Sequence, residues 1–192
     1  MSENPLLVTD FVIPFDRIEP QHVVPGLREA LARAEERLTQ LGASVDTDAP
    51  VTYETSLGAL DELAEGLYRP YGLVAHLNGV MNSPELRSAF NEVQPEVVAF
   101  FARLSADQRV WQLLKRFAES AEGQALTGVA KRHLTKTMDE FRRAGADLPD
   151  ADRQRVEALR VELARLSTRF SENVLDATNA FELVLEDEAQ LA

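Results

Sequence analysis

Apolar side chains recur at steps of three and four residues over most of this 192-residue chain. Such spacing places side chains on one stripe of an α-helix, so it predicts a series of amphipathic helices from Pro20 onwards. The six predicted stripes are Val24, Leu27, Leu31, Ala34, Leu38 and Leu41; Leu57, Leu60, Ala64 and Leu67, continued on a rotated face by Val74, Leu77 and Val80; Leu86, Phe90, Val93, Val97, Phe100 and Leu104; Val110, Trp111, Leu114 and Phe117; Leu126, Ala130, Leu134, Met138 and Phe141; and Val156, Leu159, Leu163, Leu166, Phe170 and Val174. We therefore expect about six helices, mostly antiparallel because their connections are short.

Residues between the stripes indicate where the helices begin and end. Thr52 and Ser83 are suited to cap helix N-termini, and Pro84 takes the first helical position after Ser83. Gly42 and Gly145 follow the last apolar residue of a stripe, where a residue that tolerates positive φ often ends a helix. These signals predict most of the helix boundaries.

Two prolines lie inside predicted helices. Pro70, closely followed by Gly72, is expected to interrupt and kink the second helix. Pro95 lies on the side of the third helix opposite its apolar stripe, so it should bend that helix without entering the core.

The two ends of the chain lack helical spacing. Residues 1–19 are expected to form an extended arm whose apolar residues lie along the helices, and residues 20–178 form the helical body. Residues 179–192 are expected to be a strand-like tail. The predicted fold is thus one all-α domain, a multi-helix bundle with an arm and a tail.

The tail is predicted from its alternation of apolar and acidic residues. Over residues 180–186, Phe181, Leu183 and Leu185 share one side, as in a half-buried strand. An isolated strand leaves its backbone donors and acceptors unpaired. We therefore expect this segment to pair with residues 6–11 of the arm or with a neighbouring copy of itself.

Charge and cysteine content limit the partners and the cellular compartment that we expect. Thirty-two acidic and twenty basic residues give a formal net charge of −12, which repels phosphate backbones and anionic lipids. Nucleic acid and membranes are therefore not expected as partners. The chain has no cysteine, which suits the cytoplasm, and no apolar run long enough to span a bilayer.

Residues capable of chemistry are few and scattered. The three histidines, His22, His76 and His133, do not form the HExxH arrangement that places two imidazoles around zinc, so we interpret them as packing or surface residues. The only basic cluster lies opposite an apolar stripe. We interpret it as a solvent-exposed face in preference to an anion-binding site, because Asp139 can pair with Arg143. Its members are Lys131, Arg132, Lys136, Arg142 and Arg143. The acidic run Glu186, Asp187 and Glu188 lacks the spacing of a calcium loop and is also interpreted as solvated.

Four short motifs give the chain a family resemblance. They are NPLL at residues 4–7, IEPQHVVP at residues 18–25, NSPELR at residues 82–87 and SENVLDAT at residues 171–178. In this order, and with DEAQL at residues 187–191, they resemble the amino-terminal region of the thimet oligopeptidase and oligopeptidase A family. The resemblance runs over essentially the whole chain.

The resemblance implies a zinc metallopeptidase that cleaves short peptides inside a deep channel between two mostly helical halves. The HExxH helix and the third, glutamate ligand of that family lie beyond the point where this sequence stops, so no catalytic, cofactor-binding or metal residue is assigned here. Zinc is expected in the missing catalytic domain. The present chain would form part of the channel wall, as a shortened chain whose natural partner is the rest of its own enzyme, and would not hydrolyse peptides alone.

A standalone helical module that binds another protein through an exposed apolar groove is the alternative interpretation. In either case an uncovered apolar surface is expected to promote self-association.

Overall fold

A computed structural model describes residues 4–183 and shows an all-helical protein, as predicted, with no strand in that range. Seven α-helices lie within these residues: α1 (Pro20–Ala43), α2 (Ala59–Val80), α3 (Pro84–Ala106), α4 (Gln108–Glu119), α5 (Ala121–Ala125), α6 (Gly128–Ala144) and α7 (Asp150–Ala180). The count exceeds the predicted six because α5 is a separate short helix. Ser120 caps α5 by accepting a hydrogen bond from the Gly123 N–H, at 3.0 Å.

Of the two predicted N-caps, Ser83 is confirmed and Thr52 is not the N-cap of α2. Ser83 Oγ accepts a hydrogen bond from Leu86 N at 3.1 Å, and Pro84 begins α3. Thr52 Oγ1 accepts from Thr55 N at 3.2 Å, but a single π-helical turn, Glu54–Gly58, precedes α2. The predicted interruption of this helix is wrong, since α2 continues through Pro70, whose ring is buried.

Helices α1 to α4 and α6 enclose two adjoining apolar clusters. The larger contains Leu57, Phe100 and Phe117 among its fully buried side chains, and the smaller contains Leu6 and Val23. The predicted stripes of α3 and α4 are buried throughout. Because the first half of α1 shares the smaller cluster with the last half of α2 and the first half of α3, α2 is antiparallel to both, while α1 and α3 run parallel.

The arm is anchored most deeply near its start. Leu6, in the 3₁₀ turn Pro5–Leu7, is 1% exposed and packs in the smaller cluster. Further along, Phe11 and Val12 are exposed, so the expectation that the arm's apolar residues lie along the helices is correct only in part.

The predicted strand-like tail is wrong where the structure describes it. Helix α7 continues to Ala180, two residues past the predicted end of the helical body, and Phe181 and Leu183 are exposed residues outside any strand. The alternation is too short to compete with continuation of a long helix. The rest of the predicted strand and its pairing, from residue 184 onwards, lie outside the described residues.

Among residues 4–183, no helix combines the length and apolar content that a bilayer span requires.

Candidate functional site

Helix α7 packs chiefly against α3, and its half-buried side combines the polar Thr168 and Glu172 with the apolar Val161, Ala164 and Leu175. Three residues of α3 spaced by one helical turn contact three residues of α7 in antiparallel order. We name these contacts the α3–α7 seam; the pairs are Arg87–Asp176, Asn91–Glu172 and Gln94–Thr168. The orientation of α7 is therefore set by hydrogen bonds.

The Arg87–Asp176 pair is the strongest contact of the seam. Arg87 donates two hydrogen bonds to the carboxylate, Nη2 to Oδ1 at 3.0 Å and Nη1 to Oδ2 at 3.2 Å. Bidentate pairing of this kind fixes geometry as well as charge. These hydrogen bonds hold the pKa of Asp176 below its ordinary value and raise the pKa of Arg87.

The opposite side of α7 is apolar and uncovered. None of the 31 residues of α7 is buried. Five large side chains, which we name the α7 stripe, are each between 48% and 69% exposed: Leu159, Leu163, Leu166, Phe170 and Val174. At 1.5 Å per residue the stripe is about 22 Å long. The helix predicted from this pattern is present, but its stripe faces away from the bundle.

A groove of about 550 Å³ lies between α2, α3 and α7. Aromatic side chains of Tyr71 and Phe90 line it, together with the amides of Asn78, Asn82 and Gln94. The groove thus combines apolar walls with amides that can donate and accept hydrogen bonds.

A second groove, of about 600 Å³, separates the arm from α1 and α2. Its arginines are engaged with the protein itself. Arg69 donates to the carbonyls of Thr9 and Asp10, at 3.3 and 2.7 Å, and Arg37 donates to the Glu62 carbonyl at 3.1 Å. The hydrogen bonds from Arg69 hold the arm on α2, and the hydrogen bond from Arg37 ties α1 to α2.

The three histidines lie on three different helices, α1, α2 and α6. His22 Nδ1 accepts a hydrogen bond from Glu19 N at 3.1 Å in the capping box of α1, and His76 is exposed on α2. His133 on α6 is half-buried. Its Nδ1 lies 2.8 Å from the Tyr53 hydroxyl, and its Nε2 lies 3.4 Å from Asp61 Oδ1. His133 thus ties α6 to the start of α2.

The predicted basic cluster is an outer face of α6. Asp139 pairs with Arg142 at 3.1 Å, and not with Arg143 as predicted. Arg142 also lies over the Trp111 ring, 5.5 Å from its centroid. The other members, Lys131, Arg132, Lys136 and Arg143, are exposed.

Within the part of the chain that the structure describes, no three histidine or acidic side chains come close enough to hold a metal ion. The acidic run at Glu186, Asp187 and Glu188 lies outside the described residues.

Two contacts in the structure join the four motifs of the family resemblance. Asn4 of NPLL donates through Nδ2 to the carbonyl of His22 in IEPQHVVP, at 2.9 Å. Arg87 of NSPELR pairs with Asp176 of SENVLDAT. Sequence reasoning did not single out Asn4, Arg87 or Asp176; their place in motifs far apart along the chain was the available signal.

Comparisons with known proteins match this architecture to one family. The family model described as the neurolysin/thimet oligopeptidase N-terminal domain matches residues 27–153. Over 191 residues the chain is 35% identical both to the probable cytosolic oligopeptidase A and to the organellar oligopeptidase A of Arabidopsis thaliana, and over 189 residues it is 31% identical to oligopeptidase A of Escherichia coli. These alignments cover 98% to 100% of the chain but only 24% to 27% of the relatives. The chain spans about a quarter of the length of the curated relatives it matches.

Proposed function

Because the chain belongs to the neurolysin/thimet oligopeptidase family, whose N-terminal domain it contains, we propose that it is the non-catalytic helical domain of a zinc-dependent oligopeptidase. The observation that carries the proposal is the difference between the fraction of this chain and the fraction of each relative that the alignments cover. The similarity covers the whole chain, yet roughly three quarters of each oligopeptidase A relative lies outside it. The residues that perform peptide hydrolysis are assigned to that larger remainder.

Zinc-assisted hydrolysis requires protein ligands to the metal and a water that the metal activates. We place the zinc ligands and the general base in the part of the enzyme that follows this domain.

We assign the domain to one wall of the channel that admits peptides. A wall of packed helices admits an extended chain and excludes a folded protein by size. The groove between α2, α3 and α7 supports this assignment, because Asn78 Nδ2 could donate a hydrogen bond to a peptide backbone there and Asn82 Oδ1 could accept one from it. Short peptides and the remainder of its own chain are thus the proposed partners.

We also place the enzyme in the cytoplasm. Support comes from the absence of cysteine and from the name of one Arabidopsis relative, the probable cytosolic oligopeptidase A. The net charge of −12 argues against nucleic acid or a membrane as a partner.

Extending the reading frame tests the proposal directly. We expect several hundred further codons that include HExxH and a downstream glutamate. The longer protein should cleave a quenched fluorescent peptide, lose this activity with a chelator and regain it with zinc, whereas residues 1–192 should show no turnover. A matched control replaces the HExxH glutamate by glutamine. A longer frame without HExxH, or clear turnover by residues 1–192, contradicts the proposal.

An independent interaction module is the second candidate, and the exposed α7 stripe is the observation that favours it. It requires a stop codon close to Ala192 and a defined protein partner. Sequencing past this position separates the two functions.

A further inference from the structure

Helix α7 is oriented opposite to the usual arrangement of a surface helix. Such helices normally gain their stability by burying an apolar stripe against the domain. In α7 the half-buried side includes Val161, Ala164 and Thr168, while the larger side chains of the α7 stripe face outward. The stripe therefore leaves substantial apolar surface in contact with water.

The α3–α7 seam maintains this orientation. Rotating α7 by half a turn would bury the stripe on α3, but it would also separate Arg87 from Asp176 and Asn91 from Glu172. Polar groups left unpaired at an interface cost more than ordinary surface groups. The residues of α3 are thus matched to the side of α7 that contains Thr168, Glu172 and Asp176, and the stripe is left for another surface.

The position of α7 relative to the family boundary identifies that surface. The family model of the N-terminal domain ends at residue 153, and α7 begins at Asp150. Most of α7 therefore follows the N-terminal domain as the family defines it. Relatives have roughly three quarters of their length outside the matched stretch.

We propose that the α7 stripe packs against the downstream part of its own oligopeptidase chain, so that α7 joins the two parts of the enzyme. This inference rests on the proposed function. The surface that covers the stripe should be apolar and about 22 Å long, because the rise of an α-helix gives the stripe that length.

Charge argues against a second copy as the occupant. Each copy has a net charge of −12, so two copies repel one another at long range.

Thiol labelling tests the proposal, because the chain has no cysteine of its own. Single cysteines are introduced as Leu163→Cys and Phe170→Cys in the stripe. Ala158→Cys is the matched control, since Ala158 is an exposed residue of α7 outside the stripe. Maleimide labelling of each site is followed by peptide mass spectrometry in the 192-residue chain and in the protein of the extended reading frame.

In the 192-residue chain at low concentration, all three thiols should react at similar rates. In the longer protein, the two stripe thiols should react at least about tenfold more slowly, because a buried thiol reacts only when the interface opens. The rate at Ala158→Cys should not change. Protection in the longer protein should also persist on dilution, as expected of a contact within one chain.

The proposal is overturned if the stripe thiols react equally fast in both proteins. It is also overturned if the protection disappears on dilution, because that result would identify a second copy as the covering surface. A reading frame that stops near Ala192 overturns it together with the proposed function. Peptidase activity of the longer protein separates the remaining cases. An active enzyme with reactive stripe thiols refutes only the docking of α7, whereas protected thiols in a protein without zinc-dependent activity refute only the proposed function.

Discussion

Asn4 shows how one polar residue holds the arm on the bundle. Its Oδ1 accepts a hydrogen bond from Leu6 N at 3.0 Å, and its Nδ2 donates to the His22 carbonyl. Gly26 makes this approach possible, since a Cβ at that position would lie 2.7 Å from Asn4 Nδ2. The NPLL motif and the first turns of α1 are thus one structural unit.

Gly123 is required by a close backbone contact. A Cβ there would lie 2.0 Å from the Phe117 carbonyl oxygen, which cannot move independently of α4. We expect Gly123→Ala to lower the free energy of unfolding by roughly 1–3 kcal/mol, as overpacking does. Urea denaturation followed by circular dichroism measures the change.

The same substitution at Gly66 is the matched control. Gly66 lies inside α2, and a Cβ there meets nothing within 4 Å. Gly66→Ala should therefore raise the free energy of unfolding by about 1 kcal/mol, through helix propensity. Equal effects at the two glycines would show that propensity, and not the contact with Phe117, governs Gly123.

At the scale of the element, α7 depends on polar contacts that respond to pH. Hydrogen bonds from Arg87 lower the pKa of Asp176 in the folded protein. A carboxyl group with a lowered folded pKa stabilises the fold above its unfolded pKa of about 3.9 and loses that contribution as the pH falls through the folded value. The attachment of α7 should therefore weaken on acidification.

We expect the unfolding free energy of the wild type to fall more between about pH 5 and pH 3 than that of Asp176→Asn, because only the wild type loses this carboxylate. Asp147→Asn, at an exposed position in the turn before α7, is the control and should retain the wild-type pH dependence. Urea titrations at several pH values measure these differences. Identical pH profiles for the wild type and Asp176→Asn would show that the pair contributes nothing to stability.

At the scale of the whole molecule, the bundle formed by α1 to α6 is complete without α7. The buried cores draw residues from the arm, from α1 to α4 and α6, from the π-helical turn before α2 and from the turn at Ala146, whereas α7 buries none. A chain that ends at Pro149 should therefore remain folded, because it keeps every residue of both apolar clusters.

Circular dichroism and urea denaturation of this shortened chain test the prediction. We expect a cooperative transition with a midpoint only modestly below that of the 192-residue chain, because the α3–α7 seam is lost but both apolar clusters are kept. As a control, a chain that ends before α6 loses Leu134 and Phe141 from the core and should unfold. A gradual transition for the chain ending at Pro149 would show that α7 supports the bundle after all.

Prediction from the sequence succeeded where a helix is enclosed on its apolar side. The stripes of α3 and α4 are buried as predicted, because these helices have neighbours around them. The prediction failed at Pro70, where packing carries α2 across a residue that breaks isolated helices. It also failed at Ala180, where α7 continues into the segment predicted as a strand.

The sequence by itself determined most of the helices, the caps at Ser83 and Gly145, and the family, because these depend on local spacing and on motifs. Only the tertiary structure decided which way α7 faces. Periodicity identifies the apolar side of a helix but contains no information about what covers that side. The answer depends on Arg87 and Asn91, which lie more than 80 residues before their partners Asp176 and Glu172. Such pairings become visible only when α3 and α7 lie side by side.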